Sequence, residues 1–386
     1  MHSLDSKHTS VSVIIPAFHF VKSLEKVINS VESQTILPNQ IIVIDSSNNN
    51  EVKKMIDSYK SSVGIIYKSV SKAYPGEARN LGIKLSSQKW VAFLDSKTVP
   101  SHNWIEEYLQ IIKNESAEVV FGVTKYVAKT EFQNLLKATI YGDNGVETTP
   151  GTLIMRDTFL KLGGFIEGVR TSDDLEWRER GRRNGLKGIT PKEFSLTYSD
   201  ISNSIYLNIK RFFLYQLHAA SIDVQNKMKD IHLAFFLLLS ALVIPRWNAI
   251  IGWKESLFYI PDVTKIYLLS LTSIFALKLL IDNLFRKKES SFIFSPFLKT
   301  IAFIVVTMMV INWNYAIAKW EEDALLYIPH ITKFYVLFLL TSSLLYRGIY
   351  FPIKNGIAVS YLFPFKWIKV GLLGLALDIV KAPGYI

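Results

Sequence analysis

The chain has 386 residues, 49% hydrophobic and 20% charged, which sets two or three structural units and excludes a disordered polymer. It contains no cysteine, so disulfide scaffolds, zinc–thiolate sites, iron–sulfur clusters and a thiol nucleophile are all excluded. The 44 Lys and Arg against 33 Asp and Glu leave a net charge of +11, which suggests an anionic partner: nucleic acid, anionic lipid or a phosphorylated substrate. Apolar residues concentrate in the second half, which favours lipid and a phosphorylated substrate over nucleic acid.

The first ten residues are polar and run directly into an apolar strand pattern without a cleavage site, so no secretory signal is read and the first domain is expected in the cytoplasm. Val11–Ala17 reads as a buried strand. Leu24–Gln34 has helical spacing at Leu24, Val27, Ile28 and Val31. Gln40–Asp45 is a second strand, Glu51–Tyr59 a helix, and Gly64–Lys68 a third strand. Gly76–Leu85 is a helix and Trp90–Asp95 a fourth strand. Strands alternating with helices imply βαβ units and a parallel sheet, with ligands bound outside the carboxyl ends of the strands. Asp45 and Asp95 stand at those ends.

The second half holds four apolar segments, near 231–246, 263–285, 298–316 and 333–352. Arg286, Lys287, Lys288 and Lys299 lie between the second and third, and Lys354, Lys366, Lys369 and Lys381 follow the fourth. Glu255, Asp262, Glu321, Glu322 and Asp323 occupy the other connections. With four spans, the basic connections fall on the side of the N-terminal domain, as the positive-inside rule expects; a buried helical domain of a soluble protein is the alternative. The run Leu257–Tyr267 reappears as Leu325–Tyr335, with Tyr259 and Tyr327 lying 68 residues apart. Two tandem membrane hairpins fit this repeat. Ser204–Lys229, with Ile205, Ile209, Phe212, Phe213 and Leu217 on one side, and Phe363–Lys381 read as interfacial helices; packing of each against its own domain is the alternative. The expected division is an α/β domain over 1–203, an interfacial helix over 204–230, two hairpins over 231–352 and a cytoplasmic interfacial tail over 353–386.

Four features follow one another in the first half. Ser12–Ala17 leads to Gln40–Asp45-Ser-Ser. Next come Pro75-Gly-Glu-Ala-Arg-Asn-Leu-Gly82 and Val91–Asp95-Ser-Lys97. Pro150-Gly151-Thr152 then precedes Leu162-Gly-Gly-Phe165. Asp173-Asp174 closes the series, eleven residues before Gly185. In that order they resemble the family 2 glycosyltransferases, inverting enzymes with a Rossmann-like GT-A nucleotide-sugar-binding fold. The resemblance covers roughly residues 10–200.

The resemblance implies a nucleoside diphosphate sugar donor. Asp45 would accept from a pyrimidine N3–H, or else serve an Asx turn. Pro16 and Ala17 would contact the nucleoside through backbone atoms. Gly76, Arg79 and Asn80 match G-x-A-R-N-x-G and would approach the diphosphate at a helix N-terminus. Asp95 takes the first place of a D-x-D motif that holds Mg²⁺ or Mn²⁺, but Lys97 replaces its second acid. Either Asp95, diphosphate and water bind the metal, or Lys97 itself neutralises the diphosphate. Asp173-Asp174 matches an E-D pair in which Asp174 would be the general base, or a helix N-terminal acid, or both. Gly151 and Thr152 would line the acceptor pocket. Arg180, Arg182 and Arg183 lie on the basic helix, and Arg211, Tyr215 and His218 stand where the family closes over the diphosphate. No Q-x-x-R-W motif is present, against a processive synthase.

The expected protein is a membrane-anchored transferase of cell-envelope glycan synthesis, on the cytoplasmic face of a bacterial-type inner membrane, with a lipid-linked or membrane-presented acceptor and a capacity to self-associate. A polyprenyl-phosphate sugar synthase and a non-catalytic membrane scaffold are its rivals.

Overall fold

In the computed structural model, residues 10–220 and 331–381 are described, with a few further positions between 222 and 309. The chain divides into two compact units, Met1–Val224 with Ser342–Leu377, and Gln225–Thr341 with Asp378–Ile386. The first unit carries the α/β domain.

Its leading half follows the expected alternation: β1 (Val11–Ala17), α1 (Val21–Glu32), β2 (Gln40–Asp45), α2 (Glu51–Ser58), β3 (Gly64–Ser69), α3 (Pro75–Leu85) and β4 (Trp90–Phe93). The β-branched runs of β1 and β2 are buried on both faces, which is why they read as continuous apolar segments rather than alternating ones. Leu24, Val27, Ile28 and Val31 are the buried stripe of α1. Pro75 opens α3, where its missing N–H costs nothing, and Glu77 accepts from the Tyr74 N–H at 2.7 Å.

The later elements are β5 (Thr98–Pro100), α4 (Trp104–Glu115), β6 (Val119–Tyr126), α5 (Glu131–Ile140), β7 (Val146–Met155), α6 (Arg156–Leu162), α7 (Asp173–Arg183), β8 (Gly188–Ile189), β9 (Leu196–Tyr198) and α8 (Ile205–Ala220). The sheet runs β3-β2-β1-β4-β7-β6-β9-β5, with β8 also on β6. The expectation of a parallel sheet holds from β3 to β4, and β6 also pairs parallel with β8 and β9. β7 pairs antiparallel with both β4 and β6, so the sheet is mixed. The reversal places Asp45 at one end of a row of strand termini and Tyr126 and Tyr198 at the other.

Among the described residues, no helix is long and apolar enough to cross a membrane. The expected spans 231–246, 263–285 and 298–316 lie largely outside the described residues. The fourth, 333–352, is helical through α9 (Ile331–Leu345), a π-helical turn (Tyr346–Tyr350) and α10 (Phe351–Lys354).

The two stretches read as interfacial form α8, and α11 (Val359–Leu362) with α12 (Lys366–Lys381). α8 buries Asn208, Phe212, Gln216 and Ala219 and exposes Ile205, Phe213 and Leu217. The apolar stripe read from the sequence is therefore split, with Phe212 inside. Around α12, Ile357, Leu362 and Val370 pack on Ala138 of α5, and Leu377 packs with Leu136, Ile201 and Phe212. Lys366 also pairs with Glu131 at 2.9 Å. Much of the tail is thus part of the first unit's core, while Phe363, Phe365 and Leu372 remain exposed.

Candidate functional site

Asp173 opens α7 and is 4% exposed. Its neighbour across the site is the first turn of α3. A Cβ built on Gly76 would lie 2.6 Å from Asp173 Oδ2, so glycine there leaves the room the carboxyl occupies. Arg79, one turn along α3, is 3% exposed and donates from Nη2 to Asp95 Oδ1 at 2.6 Å, with Nη1 3.6 Å from Asp173 Oδ2. One buried guanidinium thereby joins the acid after β4 to the acid at the start of α7.

The charges respond accordingly. Burial pushes the Asp173 carboxyl up to about 7; Arg79 pulls it down and Asp174 pushes it further up. Burial opposes the charge on Arg79, yet Asp95, Asp173 and Asp174 together hold its pKa above the ordinary value. Asp173 Oδ2 and Arg79 Nε are buried without a hydrogen-bond partner. A site with such unmet groups is a candidate for chemistry rather than for stability alone.

Asp174 differs from its neighbour. Its side chain is 30% exposed, and Arg178 Nη2 lies 3.3 Å from its Oδ2. Arg178 is in turn held by Glu147 at 3.0 Å, and Arg182 meets the same Glu147 oxygen at 2.6 Å. The accessible carboxylate of the pair is therefore Asp174.

The Asp95 side chain is 43% exposed, and its backbone N–H donates to Thr98 Oγ1 at 3.0 Å. Lys97 pairs with Asp200 and lies 3.3 Å over the Phe20 ring. Among the described residues, no group of three or more His, Cys, Asp or Glu could hold a metal ion. Asp95 already gives one oxygen to Arg79, and an ammonium stands two residues on. That donor set does not fit a hard divalent ion, which wants several oxygen ligands.

Asp45, at the end of β2, is fully buried. Its Oδ1 accepts from the Ser47 N–H at 2.9 Å and its Oδ2 from the Tyr67 hydroxyl at 2.7 Å. Burial pushes the Tyr67 phenol up to about 12, and the bond to Asp45 adds to it. The turn reading of Asp45 is thus present in the fold, and Ala17 joins the same corner by accepting from the Ser46 N–H at 3.0 Å. Pro16 pairs with Ile44 within the strand register.

Asn80 turns inward. Its amide donates to the Phe165 carbonyl and its oxygen accepts from the Phe165 N–H, both at 2.9 Å. It clamps the Gly163-Gly164-Phe165 loop, which Arg180 also holds by donating to the Gly164 carbonyl at 2.7 Å. Arg183 is exposed and pairs with Glu179. Gly151, at φ +87°, and Thr152 are buried in β7. Thr152 Oγ1 accepts from the Gly122 N–H at 3.0 Å, and the Gly151 carbonyl accepts from Trp104. Any acceptor shaping by these two works through the strand they bend.

The structure thus brings Gly76, Arg79, Asp95, Asp173 and Asp174 into one cluster, while Lys97 pairs with Asp200 and Asp45 with Ser47 and Tyr67. Sequence reasoning missed Tyr67, Arg178 and Asp200. Only Arg178 carried a signal, lying four residues after Asp174 on the same helix.

Residues 12–170 match the family model described as Glycosyl transferase family 2. An uncharacterized glycosyltransferase of Rickettsia bellii is 30% identical over 57% of this chain, and the match spans 33% of that protein's length. The poly(ribitol-phosphate) beta-N-acetylglucosaminyltransferase TarP of Staphylococcus aureus is 30% identical over 52% of this chain and 66% of its own. The UDP-Glc:alpha-D-GlcNAc-diphosphoundecaprenol beta-1,3-glucosyltransferase WfgD of Escherichia coli is 24% identical over 52% of this chain and 83% of its own. These matches support the Rossmann-like GT-A α/β domain.

Proposed function

We propose that this chain, in which residues 12–170 form a glycosyl transferase family 2 domain, moves one sugar from a nucleoside diphosphate sugar to a cell-envelope glycan acceptor with inversion at the anomeric carbon. The observation that carries the reading is the acidic pair at the start of α7, tied to Asp95 through the buried Arg79.

The acceptor hydroxyl attacks the anomeric carbon while Asp174 takes its proton. The bond from that carbon to the diphosphate breaks, and the nucleoside diphosphate leaves with the electron pair. Asp174 is suited to this by its exposure, whereas Asp173 is enclosed against Gly76. Asp173 acts as a positioning residue: with Asp95 it fixes Arg79, whose charge faces the developing diphosphate. Lys97 exchanges Asp200 for the same phosphates when donor binds, so no metal ion is required. Asp45, held by Ser47 and Tyr67, shapes the corner that takes the base.

The acceptor is lipid-linked or presented at a membrane, and the transferase sits on the cytoplasmic face. The basic connections, the tandem repeat and the exposed Phe363, Phe365 and Leu372 support this finer reading. The names of two relatives support a cell-envelope acceptor: one glycosylates poly(ribitol-phosphate), the other a diphosphoundecaprenol-linked sugar. Incubating the detergent-solubilised chain with a panel of nucleotide sugars and a bacterial lipid extract tests it. Release of nucleoside diphosphate with a matching mass gain in lipid-linked product is expected. Release of no nucleotide from any donor contradicts it.

A further inference from the structure

Arg211, in the second turn of α8, meets an aromatic hydroxyl. Its Nε donates to the Tyr215 hydroxyl at 2.9 Å, and its guanidinium lies 5.1 Å over that ring. Tyr126, at the end of β6, stacks on Tyr141 with ring centres 3.7 Å apart, and Tyr198 of β9 is 5.4 Å from Tyr126. The charge of Arg211 is felt by Tyr126, Tyr141 and Tyr198. Among the described residues, no carboxylate pairs with Arg211 and neither Nη group makes a hydrogen bond.

Arg211 is half-buried, and in place of a carboxylate it meets the neutral Tyr215 phenol. Burial pushes the Tyr198 phenol up to about 12 and those of Tyr126 and Tyr141 well above their usual range, so all three remain protonated O–H groups at neutral pH. A guanidinium with free Nη groups beside a tyrosine cluster is complementary to a phosphoryl group, which offers several acceptor oxygens.

The cluster adjoins the catalytic cluster on a definite side. Thr171, two residues before Asp173, donates to the Tyr215 carbonyl at 3.2 Å, and Asp95 is near enough to Tyr126 to oppose its ionisation. Asp45 ends β2, whereas Tyr126 and Tyr198 end β6 and β9, across β1, β4 and β7 in the sheet order. The nucleoside end and the tyrosine end therefore flank the acids from opposite directions.

We propose that Arg211 with Tyr126, Tyr141, Tyr198 and Tyr215 forms an anion subsite for a phosphoryl group of the acceptor, on the far side of Asp95 from Asp45. It rests on the transferase reading above in assigning the phosphoryl group to the acceptor, and it specifies that acceptor as one carrying phosphate near the hydroxyl that reacts. The other source of the same chemistry is the donor's own diphosphate, and the two are separable.

Inorganic phosphate is titrated into the solubilised full chain, alone and saturated with UDP, and followed by ³¹P line broadening; UDP affinity is measured by calorimetry. The expected result is phosphate binding that survives UDP. Arg211→Gln should weaken that binding about tenfold or more, the scale of a charge-assisted hydrogen bond, and leave UDP affinity within about twofold. Arg211→Lys, which keeps the charge, and Tyr198→Phe, which keeps the ring, should fall between. Phosphate binding unchanged in Arg211→Gln and Tyr198→Phe overturns the subsite. Displacement of phosphate by UDP, with UDP affinity lost in Arg211→Gln, overturns the acceptor assignment in favour of the donor. Phosphate binding that depends on Arg211 in a chain that binds no UDP supports the anion subsite and counts instead against that nucleotide as donor.

Discussion

Gly76 and Asp173 are 97 residues apart in sequence, yet a single Cβ on Gly76 would fall 2.6 Å from Asp173 Oδ2. The glycine of the phosphate-loop pattern is thus also the wall of the acidic site. Gly76→Ala forces either the carboxyl or α3 to shift. Overpacking of this kind costs about 1–3 kcal/mol, which chemical denaturation reads directly. Because Arg79 and Asp173 move with it, turnover is expected to fall by more than the loss of folded protein explains. An alanine variant of full stability and full turnover would show that Asp173 is not held against α3.

The raised pKa of Asp173 gives stability a definite slope. In the folded chain this carboxyl releases its proton near pH 7, and in the unfolded chain near its ordinary 3.8. Between those values the folded state holds more protons, so this group's contribution makes stability decline as pH rises from about 4 to 7 and level off above. Asp173→Asn removes that contribution. Melting curves across this range should be flatter for the variant than for the parent. Identical slopes would place the Asp173 carboxyl in the ordinary acid range.

Much of the parallel half and of its motifs is legible in the sequence, because buried β-branched runs and Gly-rich turns are local signals. The strands Val11–Ala17 and Gln40–Asp45 stand where the pattern puts them. The mixed half is not legible. β5, β8 and β9 have three, two and three residues, and β7 is interrupted by Pro150 and Gly151, so no period develops. Partnerships are also hidden. Arg79 reads as a phosphate contact, but its two carboxylates lie 16 and 94 residues away, and Asp200 is 103 residues from Lys97. The C-terminal stretch reads as a tail because its apolar face is evident and the partner, Ala138 on α5, is more than 200 residues distant.

Lys97 tests the electrostatic side of the mechanism. If its ammonium moves from Asp200 to the donor phosphates, Lys97→Ala should lower kcat by roughly 10²–10³, as loss of a transition-state charge contact does. Chelator should leave the parent enzyme unchanged, and Lys97→Asp should make activity rise with added Mn²⁺. Full activity in Lys97→Ala together with loss of parental activity in chelator would assign the charge to a metal on Asp95 instead.

The central claim is that Asp174 is the base and, of the two substrates, touches only the reacting hydroxyl of the acceptor. Single-turnover transfer and equilibrium donor binding, measured on Asp174→Asn, separate chemistry from binding. The account predicts a fall in the transfer step of about 10²–10⁴ with donor affinity within about twofold of the parent. Transfer that persists at the parental rate, or donor affinity lost in step with turnover, would contradict it.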